Sequence, residues 1–297
     1  MNIGEKIKKL RTAKMMTQAE LAGSAITRNM LSQIENGVAR PSLETVQYIA
    51  SRLNVSPGYL LSEGSDEQVF LKYREIVNIK RAYMAEDFRI CRDMCLHTES
   101  DGDDEIHLIL AECSLEIAIE EFDAGNLRNA CEYFDEVIEN CASTIYRTEA
   151  LLGKAGLYFR YMRMISATLD SNVVDGDQIN LYPALTDDVS RYLFAATYID
   201  RALRENDPIP DFRKLSLNES GAYYLLLEAQ AWMREGNYAE AFQNLHGILT
   251  DDEQRISEPI LYFLLCDLEI CCRELGDYKS AYEYSNSKIS LLQKMLT

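Results

Sequence analysis

The sequence predicts an all-α protein in two parts, five short helices followed by a longer series of helical pairs. Three observations carry that prediction. Within residues 1–64, Thr17, Thr27, Ser42 and Ser56 each stand just before an apolar run at helical spacing, where a hydroxyl caps the first free backbone N–H groups. Beyond residue 64 strand signals are absent, and only six prolines occur in all 297 residues. A short turn of glycine, then Asn or Asp, then an apolar residue followed by alanine, recurs three times in the later part.

In order along the chain, Ile3, Ile7 and Leu10 mark the inner face of a first helix, with Lys6, Lys9 and Lys14 expected on its solvated sides. Thr17 and Glu20 form a capping box that starts a second helix through Leu21 and Ala22. Thr27 caps a third, with Met30, Leu31 and Ile34 inward and Gly37 as its stop. Pro41-Ser42 opens a fourth helix that turns Leu43, Val46, Ile49, Ala50 and Leu53 to the core, and Ser56-Pro57 opens a fifth through Tyr59, Leu60 and Leu61.

The segments TQAELA at 17–22, LSQIENG at 31–37, PSLETVQYIA at 41–50 and LNVSPGYLL at 53–61 resemble the phage-repressor/Cro-type (XRE) helix-turn-helix family. One departure is visible: the turn Gly23-Ser24-Ala25-Ile26 is one residue shorter than the usual pattern. The resemblance implies a double-stranded DNA partner, with the helix from Thr27 to Asn36 in the major groove, where base edges distinguish all four pairs. Matching position by position, it places Arg28, Asn29 and Gln33 at base contacts, with Thr27 and Ser32 completing the DNA-facing set. Gln18 and Arg40 fall at phosphate contacts, which set register without reading sequence. It also implies that Glu35 pairs with Arg11 as a structural ion pair.

After the polar stretch Ser62-Glu63-Gly64-Ser65-Asp66 the repeated turn appears at Gly125-Asn126-Leu127 with Ala130, Gly236-Asn237-Tyr238 with Ala241, and Gly276-Asp277-Tyr278 with Ala281. A weaker copy, Glu86-Asp87-Phe88 with Cys91, lacks the glycine. Glycine ends one helix, the apolar residue packs between the pair, and alanine allows close approach. The pattern resembles degenerate tetratricopeptide repeats, which implies a right-handed α-solenoid of about five pairs, near 69–98, 105–141, 145–206, 219–250 and 257–297. The expected division is therefore 1–64 for DNA binding and 65–297 for sensing and dimerisation. Such a stack has a concave surface suited to an extended peptide. Counting back from each repeat alanine assigns Tyr223, Leu226, Gln230, Met233 and Arg234, then Phe263, Cys266, Ile270 and Arg273, to that lining; Tyr158, Arg160 and Tyr161 are further candidates. Of these, Tyr223, Gln230, Arg234, Arg160 and Tyr161 are the expected peptide contacts. The acidic segment Asp170 to Asp188 reads as a solvated loop, with a lid over the groove as the alternative.

Charge is distributed unevenly. Of the net −18, residues 1–65 contribute +3 and the rest −21, so a basic head meets phosphate while an acidic body is repelled by it. No apolar run has the length of a signal peptide or a membrane span, which places the chain in the cytoplasm as an expectation. The eight cysteines fall inside helical patterns and read as buried thiols. The histidines His97, His107 and His246 are scattered and no CxxC pair exists, so no metal or other cofactor is expected. The runs Asp101-Gly102-Asp103-Asp104-Glu105 and Asp175-Gly176-Asp177 lack calcium-loop spacing, and no nucleophile elbow, P-loop or dinucleotide glycine motif appears. No catalytic residue and no enzymatic activity is expected.

The order of the two parts is similar to the peptide-sensing Rgg and PlcR group of Gram-positive regulators. That resemblance implies a short signalling peptide on the concave face and a homodimer whose paired heads it rearranges. The alternative is a constitutive regulator whose repeats bind a protein partner or only dimerise.

Overall fold

The computed structural model describes residues 2–62, 65–98, 103–172, 185–209, 212, 217–251 and 256–297, with backbone alone for 65–74. Every regular element among them is helical. Packing divides the chain into two compact units, Met1–Glu86 with Asp93–Asp101, and Asp87–Arg92 with Gly102–Thr297.

The first unit holds α1 (Ile3–Ala13), α2 (Gln18–Ala22), α3 (Arg28–Glu35), α4 (Leu43–Leu53), α5 (Pro57–Leu61) and α6 (Ser65–Met84). The expected caps form: Thr17 and Glu20 close a reciprocal box, while Thr27, Ser42 and Ser56 accept from Met30, Thr45 and Tyr59 at 3.1, 3.3 and 3.0 Å. A further box, Asn2 with Glu5, starts α1. Ile7, Leu21, Leu31, Ile34, Ile49, Leu53 and Leu60 are sealed from solvent in one core. Truncating any one of the leucines to alanine costs about 2–5 kcal/mol. Gly4 sits where α1 meets α3, and a Cβ there would lie 2.1 Å from the Ile34 carbonyl oxygen, so the crossing requires glycine.

Leu43, expected in the core, is instead 61% exposed at the first position of α4, where Ser42 caps the helix. Lys6 is not on a solvated side but fully buried; its ammonium donates to the Tyr59 and Ser62 carbonyls at 3.1 and 2.6 Å and to Ser62 Oγ at 2.9 Å. The carbonyls ending α5 need donors once buried, and the lysine stem is long enough to reach them through the core.

The boundary between units falls inside α7 (Phe88–Leu96). The second unit continues with α8 (Asp104–Asp123), α9 (Leu127–Ala142), α10 (Glu149–Ile165), α11 (Asp188–Glu205), α12 (Ala222–Glu235), α13 (Tyr238–Thr250), α14 (Glu258–Glu274) and α15 (Tyr278–Leu296). They pack as consecutive pairs, α8 on α9 through α14 on α15. The three repeat glycines take φ of 78°, 83° and 80°, the left-handed region, and the turns share one hydrogen-bond pattern. In each the next N–H returns to a carbonyl five residues back: Asn126 to Glu121, Asn237 to Trp232, Asp277 to Cys272, at 2.8, 2.8 and 2.9 Å. Glu86, in the copy without glycine, is forced to φ 60°. In addition α14 packs against α8 and α15 against α9, so the last pair returns to the first complete one.

Seven cysteines are buried and Cys266 is half-buried. Residues 173–184, which carry most of the loop or lid assigned to 170–188 and the run Asp175-Gly176-Asp177, lie outside the described residues. So do 63–64 of the linker and Asp101-Gly102 of the other acidic run; Asp103 caps α8 and Asp104 holds the Ile145 N–H at 2.9 Å.

Candidate functional site

On α3 the inward residues Leu31, Ile34 and Glu35 fix the opposite face outward. Arg28, Asn29 and Gln33 are exposed and Ser32 is half-buried, and their spacing gathers them on one arc of the helix. Thr27 caps the same end. An arginine, an asparagine and a glutamine on one accessible face match the donor and acceptor patterns of guanine and adenine edges.

A buried pair holds that helix in place. The Arg11 guanidinium donates to both Glu35 oxygens, at 2.6 and 3.1 Å, and to the Met16 carbonyl at 2.8 Å, tying α1, the turn before α2, and α3 together. Burial works against the Glu35 charge, but the Arg11 and Gln18 hydrogen bonds and the nearby Arg11 and Lys8 charges outweigh it, leaving the carboxyl below its usual range. Gln18 Nε2 donates to Glu35 at 2.8 Å, so this amide positions α2 against α3. Arg40 is exposed. Between α2 and α3 the shortened turn begins at Gly23, φ 55°, where a Cβ would meet the Tyr48 hydroxyl at 2.4 Å; that hydroxyl donates to the Ala22 carbonyl at 3.0 Å.

In the second unit, α10, α11, α12 and α14, with Tyr238 at the start of α13, enclose a cavity of about 320 Å³. Tyr161 and Met164 enter from α10, Tyr192 and Asp200 from α11, Gln230 and Arg234 from α12, Phe263 and Asp267 from α14. Three expected peptide contacts, Tyr161, Gln230 and Arg234, meet here. Two do not line it. Tyr223 is half-buried and stacks obliquely on Tyr192 with centroids 5.6 Å apart, and Arg160, half-buried on α10, is outside the lining.

Asp267 was not among the expected residues, yet it is the lining's central polar group. Gln230 Nε2 donates to it at 3.2 Å. Burial pushes its carboxyl up to about 6 against the pull of the Gln230 bond and the Arg234 charge. Its signal was present: an aspartate one helical turn after Phe263 in the apolar run LLCDLEICC. The α11 contribution, Tyr192, Ala196, Ile199 and Leu203, gave no such signal, because it depends on how the third pair rotates toward the fourth.

Residues 7–60 match the Helix-turn-helix family. The N-terminal segment carries a helix-turn-helix domain. No curated protein matches the chain. Among solved structures it is similar to Bacillus thuringiensis PlcR in complex with the peptide PapR7 and DNA, at 15% identity over 98% of this chain and 95% of that one, TM-score 0.28. It is also similar to S. thermophilus ComR in complex with DNA and its signalling peptide ComS, at 14% identity over 98% and 99%, TM-score 0.23. A third is the Streptococcus dysgalactiae SHP pheromone receptor Rgg2, at 12% over 97% and 99%, TM-score 0.20. At such scores no residue role passes from those chains to this one. No described helix is long and apolar enough to cross a membrane.

Proposed function

We propose that this chain is a sequence-specific DNA-binding transcription regulator, not an enzyme, controlled by a short peptide held in the α10–α14 cavity. Residues 1–64 read the duplex; residues 65–297 sense the peptide and dimerise. Arg28, Asn29 and Gln33 contact base edges, Thr27 and Ser32 support them, and Gln18 and Arg40 hold phosphates. In the cavity Tyr161, Gln230 and Arg234 contact the ligand, while Tyr223 backs the Tyr192 ring from outside the lining, and Arg160 is not among the lining residues.

The observation that carries this reading is a cavity, apolar with a few convergent polar groups, in the same chain as an exposed reading helix. Its volume, near the lower end for ligand sites, fits the side chains of one end of a peptide rather than a globular partner. A peptide acts only through its different affinity for two arrangements of the protein, so binding must change DNA affinity by that difference.

The test begins with selection from random duplex DNA by the full-length protein. The selected site is then titrated with and without the hydrophobic peptides encoded beside the gene. An enriched two-fold symmetric site whose affinity shifts with one peptide is the expected result. Failure to enrich any sequence overturns the DNA reading, and unchanged affinity with every peptide overturns peptide control.

A further inference from the structure

We propose that the cavity recognises an ammonium group of its ligand, seated between the Asp267 carboxylate and the ring faces of Tyr161, Tyr192 and Phe263. This rests on the peptide reading above and deepens it from a contact surface to a charge-specific subsite.

The chemistry is on the cavity wall. Tyr161, Tyr192 and Phe263 cluster edge to face, Tyr161 lying 6.2 Å from Tyr192 and 5.2 Å from Phe263 between centroids. Tyr238 adds a fourth ring. Ring faces carry negative charge density, and a desolvated cation near several of them gains more than at an exposed site. Beside the rings Asp267 accepts from the Gln230 amide at one oxygen, which leaves acceptor capacity on a recessed carboxylate.

A second observation points the same way. The Tyr161 side chain is fully buried, and its hydroxyl has no well-formed hydrogen bond among the described residues, the Tyr192 hydroxyl being its one close polar neighbour there. Two buried hydroxyls that have little but each other are under-satisfied, and a donor placed between them and the Asp267 carboxylate would complete both. An ammonium has three donors: a carboxylate oxygen and one or both tyrosine oxygens satisfy them, and the rings enclose the methylene attached to it.

The remaining charges agree with this assignment. Asp200 is engaged by Arg204 at 2.8 Å, so its charge is already countered. Arg234 is exposed, and its charge pulls on the Asp267 carboxylate. It is placed to take a ligand carbonyl or carboxylate after the ammonium has entered. Burial raises the carboxyl of Asp267, so an empty site is held partly protonated near pH 6 and a cation restores the charged form. The −21 of residues 66–297 draws cationic ligands to this part of the chain.

Two sources supply such a group, a peptide N-terminus or a lysine side chain, and the test separates them. Four synthetic libraries of apolar heptapeptides are offered to the full-length protein, with the N-terminus free or acetylated and one position lysine or norleucine; retained peptides are identified by mass spectrometry. Peptides with an ammonium should be retained about tenfold or more over acetylated norleucine peptides, as one charge-assisted hydrogen bond implies. The arm that survives acetylation names the source. Asp267→Asn should abolish the preference while still retaining neutral peptides, which also shows that the variant is folded, and Tyr161→Phe should reduce it. Equal retention of all four libraries overturns the ammonium subsite and leaves the peptide reading standing. A preference that persists in Asp267→Asn overturns the role of this carboxylate. Retention of none overturns the peptide reading and this inference together.

Discussion

Arg11 and Glu35 face each other through two hydrogen bonds in the helix-turn-helix domain, with the two side chains 12% and 1% exposed. The pair is internal scaffolding: it fixes α3 against α1 and leaves Arg28, Asn29 and Gln33 exposed on the opposite face. Removing one partner strands the other. Glu35→Ala should destabilise the domain by roughly 3–5 kcal/mol, whereas a double replacement by apolar residues should cost far less. The sign with pH follows from the depressed Glu35 carboxyl. Its stabilisation is present above the ordinary value of 4.5 and is lost as pH falls through the lower folded value. Denaturant melts of Glu35→Gln that keep the wild-type pH dependence below 5 would contradict this.

Lys6→Met tests the buried ammonium. The stem is replaced almost isosterically, but the Ser62 carbonyl loses its donor and the Tyr59 carbonyl keeps only the Ser62 hydroxyl, at a cost of about 1–3 kcal/mol. Hydrogen exchange should quicken around residues 57–62 first. Protection unchanged there would mean the ammonium is a passenger.

Arg28→Ala and Gln33→Ala should each cost about 1–3 kcal/mol on the selected site and little on random DNA. Arg40→Ala should weaken both alike. Gln18→Ala should do the same and also lower stability, because its amide is bonded to Glu35. Equal losses for Arg28→Ala on both DNAs would make it a phosphate contact.

The protein should be a homodimer, since one short reading helix covers only a few base pairs. Tyr278, Tyr282 and Ile289, 72%, 68% and 48% exposed, form one apolar stripe along α15. Sedimentation should give a dimer at micromolar concentration and a monomer for Tyr278→Glu with Tyr282→Glu. A wild-type monomer with and without DNA excludes the dimer.

Asp267 makes the opposite pH prediction to Glu35. A carboxyl raised to about 6 from 3.8 binds its proton more tightly folded than unfolded, so stability falls as pH rises through that window. The groups facing it are Tyr161 on α10, Tyr192 on α11, Gln230 and Arg234 on α12, and Cys266 and Cys271 on α14, with Asp200 of α11 paired to Arg204; burial pushes the tyrosine and cysteine groups up, away from this window. Asp267→Asn should therefore melt higher than wild type at pH 7.5, by at most about 3 kcal/mol, and equally at pH 4. A variant less stable at pH 7.5 would show that the carboxylate is held charged.

The sequence by itself determined the helices, their caps, the repeated turns and the outward face of α3. Each of these depends on hydrogen bonds three to five residues apart or on helical periodicity, both written in contiguous residues. Gly125, Gly236 and Gly276 declared their turns, and even Glu86 follows them into the left-handed region at some cost in strain. Tertiary structure alone decided where Lys6 points, since amphipathic spacing puts a lysine outside and only the buried carbonyls of α5 turn it inward. It also decided the cavity. Periodicity names which face of a helix is buried but not how far that helix is rotated or shifted against its neighbours. That rotation brings Tyr192 and Asp267 to Tyr161 and Gln230, and turns Tyr223 away from the lining.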